Sequence, residues 1–242
     1  MNKRNRRSSP RRGTRYLYLL LGAVAVVAVI GYLLLSSSYG TRTASTLQTS
    51  KPVILYVNQG NGVVNASNLQ GLLEVSKSHG FNTVFFQIYR SGSLLFTDDS
   101  LRNFVDDAHG QGLKFFFALY FTNATQRLPT SVYADGEDGI NLDMSTLPTS
   151  AQTSLFDNLS ASYSGTTAIT TTDPGLTLRP NLLVLETYGT ADEQLIRQGI
   201  VASVGVFATS SKQDYDRQFQ YALSNSDGVM VFDYAGLVKA GY

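Results

Sequence analysis

Residues 83–121, TVFFQIYRSGSLLFTDDSLRNFVDDAHGQGLKFFFALYF, hold the pattern that decides the fold. Two short runs rich in aromatic and β-branched residues, 83–89 and 113–121, flank a helical stretch over 99–112. Strands this continuously apolar are covered on both faces, which is the habit of a parallel sheet with helical crossovers. Working back, VILYV (53–57) is another such run, followed by a helix over 65–80 whose Leu69, Leu72, Leu73 and Val75 recur at roughly helical spacing. Gly80 ends that helix, and His79 and His109 each lie in a last helical turn, where the dipole favours positive charge. The strand starts Val53, Thr83 and Leu113 are thirty residues apart, the length of one βα unit.

Downstream the same alternation predicts strands at 139–144, 166–171, 182–187, 201–208 and 228–234, with helices within 149–163, 190–198 and 212–224. Eight strands imply a (β/α)8 TIM barrel. The domain, 52–242, is short for that fold, whose usual range is about 200–400 residues. The link DPGLTLRPN between the fifth and sixth strands has no room for a helix, so the barrel is compact and partly degenerate. An open doubly wound sheet is the competing α/β plan. Its dinucleotide version needs G-x-G-x-x-G after the first strand, but Gly60-Asn61-Gly62-Val63-Val64-Asn65 lacks the third glycine. Gln87, rather than an acid, ends the second strand, where ribose would be held.

Ahead of the barrel, residues 1–15 carry seven basic residues and no acid, and Tyr16–Leu35 has no charge over twenty residues. At about 1.5 Å per residue that run reaches about 30 Å, the hydrocarbon thickness of a bilayer. Tyr16, Tyr18 and Tyr32 stand near its ends, and a basic flank stays cytoplasmic. The expectation is one uncleaved transmembrane anchor, an N-terminus in the cytoplasm, a Ser/Thr-rich tether over 36–51 and an extracytoplasmic barrel. The apolar run exceeds the usual length of about 7–15 residues in a cleaved signal peptide. Without residues 1–15, twelve basic residues face eighteen acids, a net charge of −6, which argues against a nucleic-acid partner. Cysteine is absent, excluding disulfides and thiolate metal sites.

In a TIM barrel function lies at the C-terminal strand ends. Those ends carry Asn58, Gln87 with Tyr89 and Arg90, Tyr120, Asp143, Asp173, Glu186, Thr209, and Asp233 with Tyr234. No histidine is among them, so neither a Ser-His-Asp triad nor a histidine-based metal centre is expected. Phosphate-binding loops are also missing, and no cofactor is expected. Two carboxylates beside flat aromatic rings are the equipment of glycosidic cleavage. An acid at a strand end is often only a helix cap or a turn residue. Asp173-Pro174-Gly175 is an ordinary turn sequence, and Asp233 is open to the same reading. Asp143 and Glu186 follow strongly apolar runs, where a buried carboxylate needs compensation. The long loop 122–137 is the expected lid. Three N-x-S/T sequons, at Asn65, Asn123 and Asn158, carry little weight in a Ser/Thr-rich chain.

The segment 83–123 resembles the early part of glycoside-hydrolase-like barrels, in which a Q-x-R-x-x-G run ends strand two and A-H-x-x-G-L-K enters strand three. Gln87, Arg90, Gly92 and Ala108-His109 take these places, with Gly92 one position early after the arginine. The second half resembles the spherulin-4-like family, cell-surface barrels that include hydrolases of amino-sugar polysaccharides. Its G-I-F-x-D run corresponds to Gly139–Asp143, its N-P-G to Asp173-Pro174-Gly175, and its strand-six glutamate to Glu186. DGINLDMS (138–145) is similar as well to the D-G-x-D-x-D-x-E run of chitinase-type hydrolases, with Asn141 and Ser145 where that run has acids.

These resemblances imply a hydrolase of surface or extracellular polysaccharide. Asp143 and Glu186 would be its working carboxylates, and Asp173 would orient substrate or tune them. Asn58, Gln87, Tyr89, Arg90, Tyr120, Asp233 and Tyr234 would bind substrate. The substitutions at Asn141, Ser145 and Asp173 motivate two alternatives, a glycan-binding barrel without turnover and a scaffold within an envelope complex.

Overall fold

A computed structural model describes residues 50–242 apart from 61–63, 66, 130, 132–135, 189, 206–210, 240 and 242. In chain order the elements are β1 (Val53–Val57), α1 (Leu69–Ser78), β2 (Thr83–Arg90), β3 (Ser93–Leu94), α2 (Asp98–Gly110), β4 (Lys114–Tyr120) and β5 (Gly139–Asp143). Then come α3 (Thr149–Ser162), β6 (Thr166–Thr171), β7 (Leu182–Glu186), a 3-10 turn (Thr190–Leu195), β8 (Val201–Gly205), α4 (Lys212–Asn225), β9 (Gly228–Phe232) and α5 (Tyr234–Lys239).

The eight strands other than β3 are parallel, and β1 pairs with both β2 and β9. The sheet is therefore closed, and the fold is a TIM barrel. β3 is a two-residue strand hairpinned back onto β2. Its turn, Ser91-Gly92, has φ of 51° and 92°, both in the left-handed region demanded by the tight hairpin turns that match strand twist.

Helices cover the barrel with faces of helical period. Leu69, Leu72, Leu73 and Ser76 are the buried positions of α1, and Leu101, Phe104, Val105 and Ala108 those of α2. They pack on outward strand residues such as Phe86, Phe115 and Phe117. Each such ring contributes roughly 1.5–3 kcal/mol on burial. The inward residues Ile54, Tyr56, Phe85, Phe116, Ala118, Ala168, Val184, Val201 and Met230 form a separate cluster inside the barrel. His109, in the last turn of α2, reaches Asp138 at 2.8 Å, and Asp138 also accepts from the Phe115 amide at 2.7 Å. The end of α2 is thus tied to the entrances of β4 and β5.

Several expectations need adjustment. Residues 190–195 form a 3-10 helix rather than an α-helix. The last strand stops at Phe232, and Tyr234 opens α5. The β6–β7 link has no helix, as its length requires. Lys51, assigned to the tether, donates from Nζ to the carbonyls of Leu223 (3.0 Å) and Ser226 (2.7 Å). No helix among the described residues is long and apolar enough to cross a membrane. The expected span 16–35 lies outside the described residues, as does Thr209.

Candidate active site

Alternation along each strand decides what enters the barrel mouth. On β1, Tyr56 faces inward, and it is fully buried. On β5, Asn141 and Asp143 share a face, with exposures of 0% and 4%. Glu186 ends β7 beside Ser203 of β8. Together these positions build a cleft of about 190 Å³ lined by Tyr56, Asp143, Ser145, Glu186, Tyr188 and Phe232 on one side. Asn58, Gln87, Arg90 and Tyr120 complete it.

Asp143 is held at both oxygens. The Tyr56 hydroxyl, sent across the barrel interior, donates to Oδ2 at 2.8 Å, and the Ser145 hydroxyl donates to Oδ1 at 2.9 Å. Burial raises the Asp143 pKa from the ordinary aspartate value, and these hydrogen bonds oppose the rise. Glu186 is pushed up to about 7 by burial first and by the neighbouring Asp143 charge second, while hydrogen bonds with Ser145 and Tyr188 oppose. Ser145 therefore stands between the two carboxyls. A serine hydroxyl has one proton. That proton is given to Asp143, so it is not available to neutralise Glu186 at the same time. Burial raises both carboxyls, with Glu186 pushed up to about 7 and Asp143 held by two hydroxyl donors that favour its anion.

The tyrosines keep their protons. Burial, reinforced by the anionic Asp143, lifts Tyr56 well above the usual phenol value. Burial and Glu186 do the same for Tyr188. The Tyr188 hydroxyl also accepts from Ser203 at 3.4 Å. Phe232 packs against both rings, at 5.2 Å from Tyr56 and 5.9 Å from Tyr188 between centroids. The Phe232–Asp233 peptide is cis. Beneath the cleft, Thr170 donates to the Asn141 side chain at 3.0 Å.

A bulge in β2 builds the opposite wall. Gln87 pairs with Ala118, but Tyr89 pairs with Leu119 and Arg90 with Tyr120, so one extra residue sits in β2. Such a slip exchanges the faces of the residues that follow. Ile88 and Tyr89 both join the outer core, while Gln87 and Arg90 both line the cleft. The Gln87 Oε1 accepts from the Gln59 amide at 2.9 Å, and Asn58 Oδ1 from the Gly60 amide at 2.7 Å. These bonds fix the loop on which Arg90 rests.

The other expected site residues lie elsewhere. Tyr89 donates to the Arg127 carbonyl at 2.9 Å and lines a neighbouring cavity of about 570 Å³ with described residues of the loop after β4. Asp173 accepts from the Gly175 amide at 2.9 Å and the Thr149 hydroxyl at 3.0 Å, and it is not among the cleft residues. Asp233 accepts from the Gly236 amide at 2.9 Å, capping α5. Tyr234 packs on the outer core. Tyr56, Tyr188 and Phe232 went unmarked in the sequence, and Ser145 stood there only as a replaced acid. Tyr56 and Tyr188 were detectable by parity, two residues before Asn58 and two after Glu186. Among the described residues, no group of three His, Cys, Asp or Glu is arranged to hold a metal ion.

No protein-family profile matches this chain, and no curated protein matches it by sequence. Solved structures do match. A noncanonic maltogenic alpha-amylase from Thermotoga neapolitana aligns at a TM-score of 0.51 and 12% identity, over 78% of this chain and 68% of its own. An O-GlcNAc hydrolase from Thermobaculum terrenum aligns at 0.48 and 10%, over 75% and 54%. A truncated 3-deoxy-D-arabino-heptulosonate 7-phosphate synthase from Thermotoga maritima aligns at 0.47 and 12%, over 75% and 74%. The chain is a TIM barrel whose structural neighbours include glycoside hydrolases.

Proposed function

We propose that this protein hydrolyses glycosidic bonds in a surface or extracellular polysaccharide, with Glu186 as general acid and Asp143 as the anionic partner. The observation that carries this reading is two carboxyls in one cleft with unlike partners: Asp143 accepts from the Tyr56 and Ser145 hydroxyls, while burial and the Asp143 charge push Glu186 up to about 7. Pairs pushed apart in this way identify an acid and its counterpart. Glu186 gives its proton to the glycosidic oxygen as the C–O bond breaks. Asp143, held by Tyr56 and Ser145, stabilises positive charge on the sugar. Water then adds to the anomeric carbon, and its proton returns to Glu186. The likeness to spherulin-4-like barrels supports an amino-sugar polymer as the substrate class.

The basic segment 1–15, the apolar run 16–35 and the tether 36–51 support a single-pass anchor with the barrel outside the membrane. Protease treatment of intact cells should then remove the barrel, and a protected barrel would reject this orientation. For the chemistry, reducing-end release from amino-sugar polymers should be lost in Glu186→Gln and in Asp143→Asn. Equal rates in wild type and both variants would sink the assignment.

One observation favours a second reading. Both Asp143 oxygens already accept hydrogen bonds, an arrangement equally suited to a barrel that binds glycan without cleaving it or that serves as scaffold in an envelope complex. Binding that persists in Glu186→Gln without turnover in wild type would select it.

A further inference from the structure

Arg90 is the one cationic side chain among the described residues that line the cleft. Among the described residues no carboxylate pairs with it, although two carboxyls line the same space. An arginine with no other role would ordinarily be solvated at the rim. Here three features hold it in the cleft. The β2 bulge turns it inward beside Tyr120, and its guanidinium lies 5.8 Å from the centre of the Tyr120 ring. Gly60 leaves the necessary space, because a Cβ there would collide with Arg90 Nη1. Asn58 and Gln87 fix the Gly60 loop through backbone amides. The guanidinium is thus pre-positioned, and among the described residues no side chain or backbone group takes its donors from a ligand.

The two walls also differ in charge. On one side stand Asp143, Ser145, Glu186 and Tyr188; on the other, Arg90 with neutral amides. Sugar hydroxyls require only neutral partners, and a free amine would be repelled by the guanidinium. A planar fork of donors matches a carboxylate or sulfate. Resting on the hydrolase reading, we propose that Arg90 determines specificity by seating an oxyanion, carboxylate or sulfate, carried by the sugar ring whose glycosidic oxygen faces Glu186. An N-acetylated amino sugar with such a group is compatible, since the amide is neutral.

The test separates binding from turnover. Titration calorimetry on the full-length chain carrying Glu186→Gln would compare hyaluronan oligosaccharides, sulfated chondroitin oligosaccharides and neutral chitin oligosaccharides of equal length. The expected result is at least about tenfold tighter binding of one anionic set, weakening as salt is raised. Adding Arg90→Gln should erase that preference, weakening anionic binding about tenfold more than neutral binding, while Arg90→Lys retains part of it. Gly60→Ala, which leaves the arginine present but displaced, should also reduce it; matching circular dichroism melts exclude misfolding as the cause. A preference for hyaluronan identifies a carboxylate, and one for sulfated chains alone a sulfate. Equal binding of neutral and anionic chains, equal loss of both in Arg90→Gln, or no binding of either anionic set overturns the proposal. Absence of turnover with the anionic preference intact would instead remove the hydrolase reading and leave Arg90 as the charge-reading residue of a binding barrel.

Discussion

Four acids stand at or just beyond strand ends, in two different settings. Asp143 and Glu186 share a cleft with Ser145, the buried Tyr56 and the half-buried Tyr188. Asp173 and Asp233 accept backbone amides two or three residues ahead, as turn and cap residues do. Position at the rim is common to all four. What separates them is company: Asp143 and Glu186 line one cleft with Tyr56 reaching Asp143 across the barrel, whereas Asp173 and Asp233 each accept a local backbone amide, Asp173 together with the Thr149 hydroxyl. Location nominates a carboxylate, and its hydrogen-bond partners assign its work.

The comparison breaks most visibly at Glu186. On the hydrolase reading, Glu186→Gln should lower kcat by about 10²–10⁴-fold. In wild type kcat should fall as pH rises past about 7, where the proton leaves Glu186. A rate indifferent to pH between about 6 and 9 would contradict this role. Tyr56→Phe comes next. Losing that hydrogen bond raises the Asp143 pKa further, so the acidic limb of the rate profile should move to higher pH, with roughly 10–100-fold less activity. An unmoved acidic limb would show that Asp143 does not titrate in that limb.

Stability gives a smaller signal of opposite sign at the two kinds of acid. The folded pKa of Glu186 lies above its unfolded value, so its favourable contribution is complete below the unfolded pKa and is lost as pH rises through about 7. Glu186→Gln should therefore stabilise the fold at about pH 8, by about 1–3 kcal/mol, with the gain vanishing below about pH 4. Denaturant melts at both pH values check it. Smallest of all, Asp173→Ala and Asp233→Ala should each cost about 1 kcal/mol through lost turn and cap bonds. Their turnover should stay within about twofold. A Glu186-sized loss of activity at Asp173 would return it to the chemistry.

Much of the barrel was legible because its strands are continuous apolar runs at a thirty-residue interval, a local signal. Asp143 and Glu186 were legible for the same reason, as polar residues ending such runs. Tyr56 shares the parity of Asn58, yet its role was hidden, because an aromatic ring inside VILYV looks like any core residue until a strand across the barrel supplies its acceptor. The division between Tyr89 and Arg90 was equally hidden. Adjacent residues at a strand end both look like mouth residues, and only pairing with β4 reveals which faces inward. Ser145 read as an absence, since its value lies in two carboxyls that come together only in the closed barrel.

The bulge in β2 also uncouples the spacing of side chains from the face they occupy. A Q-x-R spacing, that of the barrels which segment 83–123 resembles, places both side chains on one face of a regular strand. Here two residues separate Gln87 from Arg90, a spacing that ordinarily sends them to opposite faces. The extra residue is absorbed at Ile88, so the shared orientation survives a change in length. Removing Ile88 would restore Q-x-R with Gln87 still opposite Ala118 and Arg90 still opposite Tyr120. Both spacings therefore serve this cleft, because an insertion that would scramble a flat strand leaves this one's chemistry facing the same way.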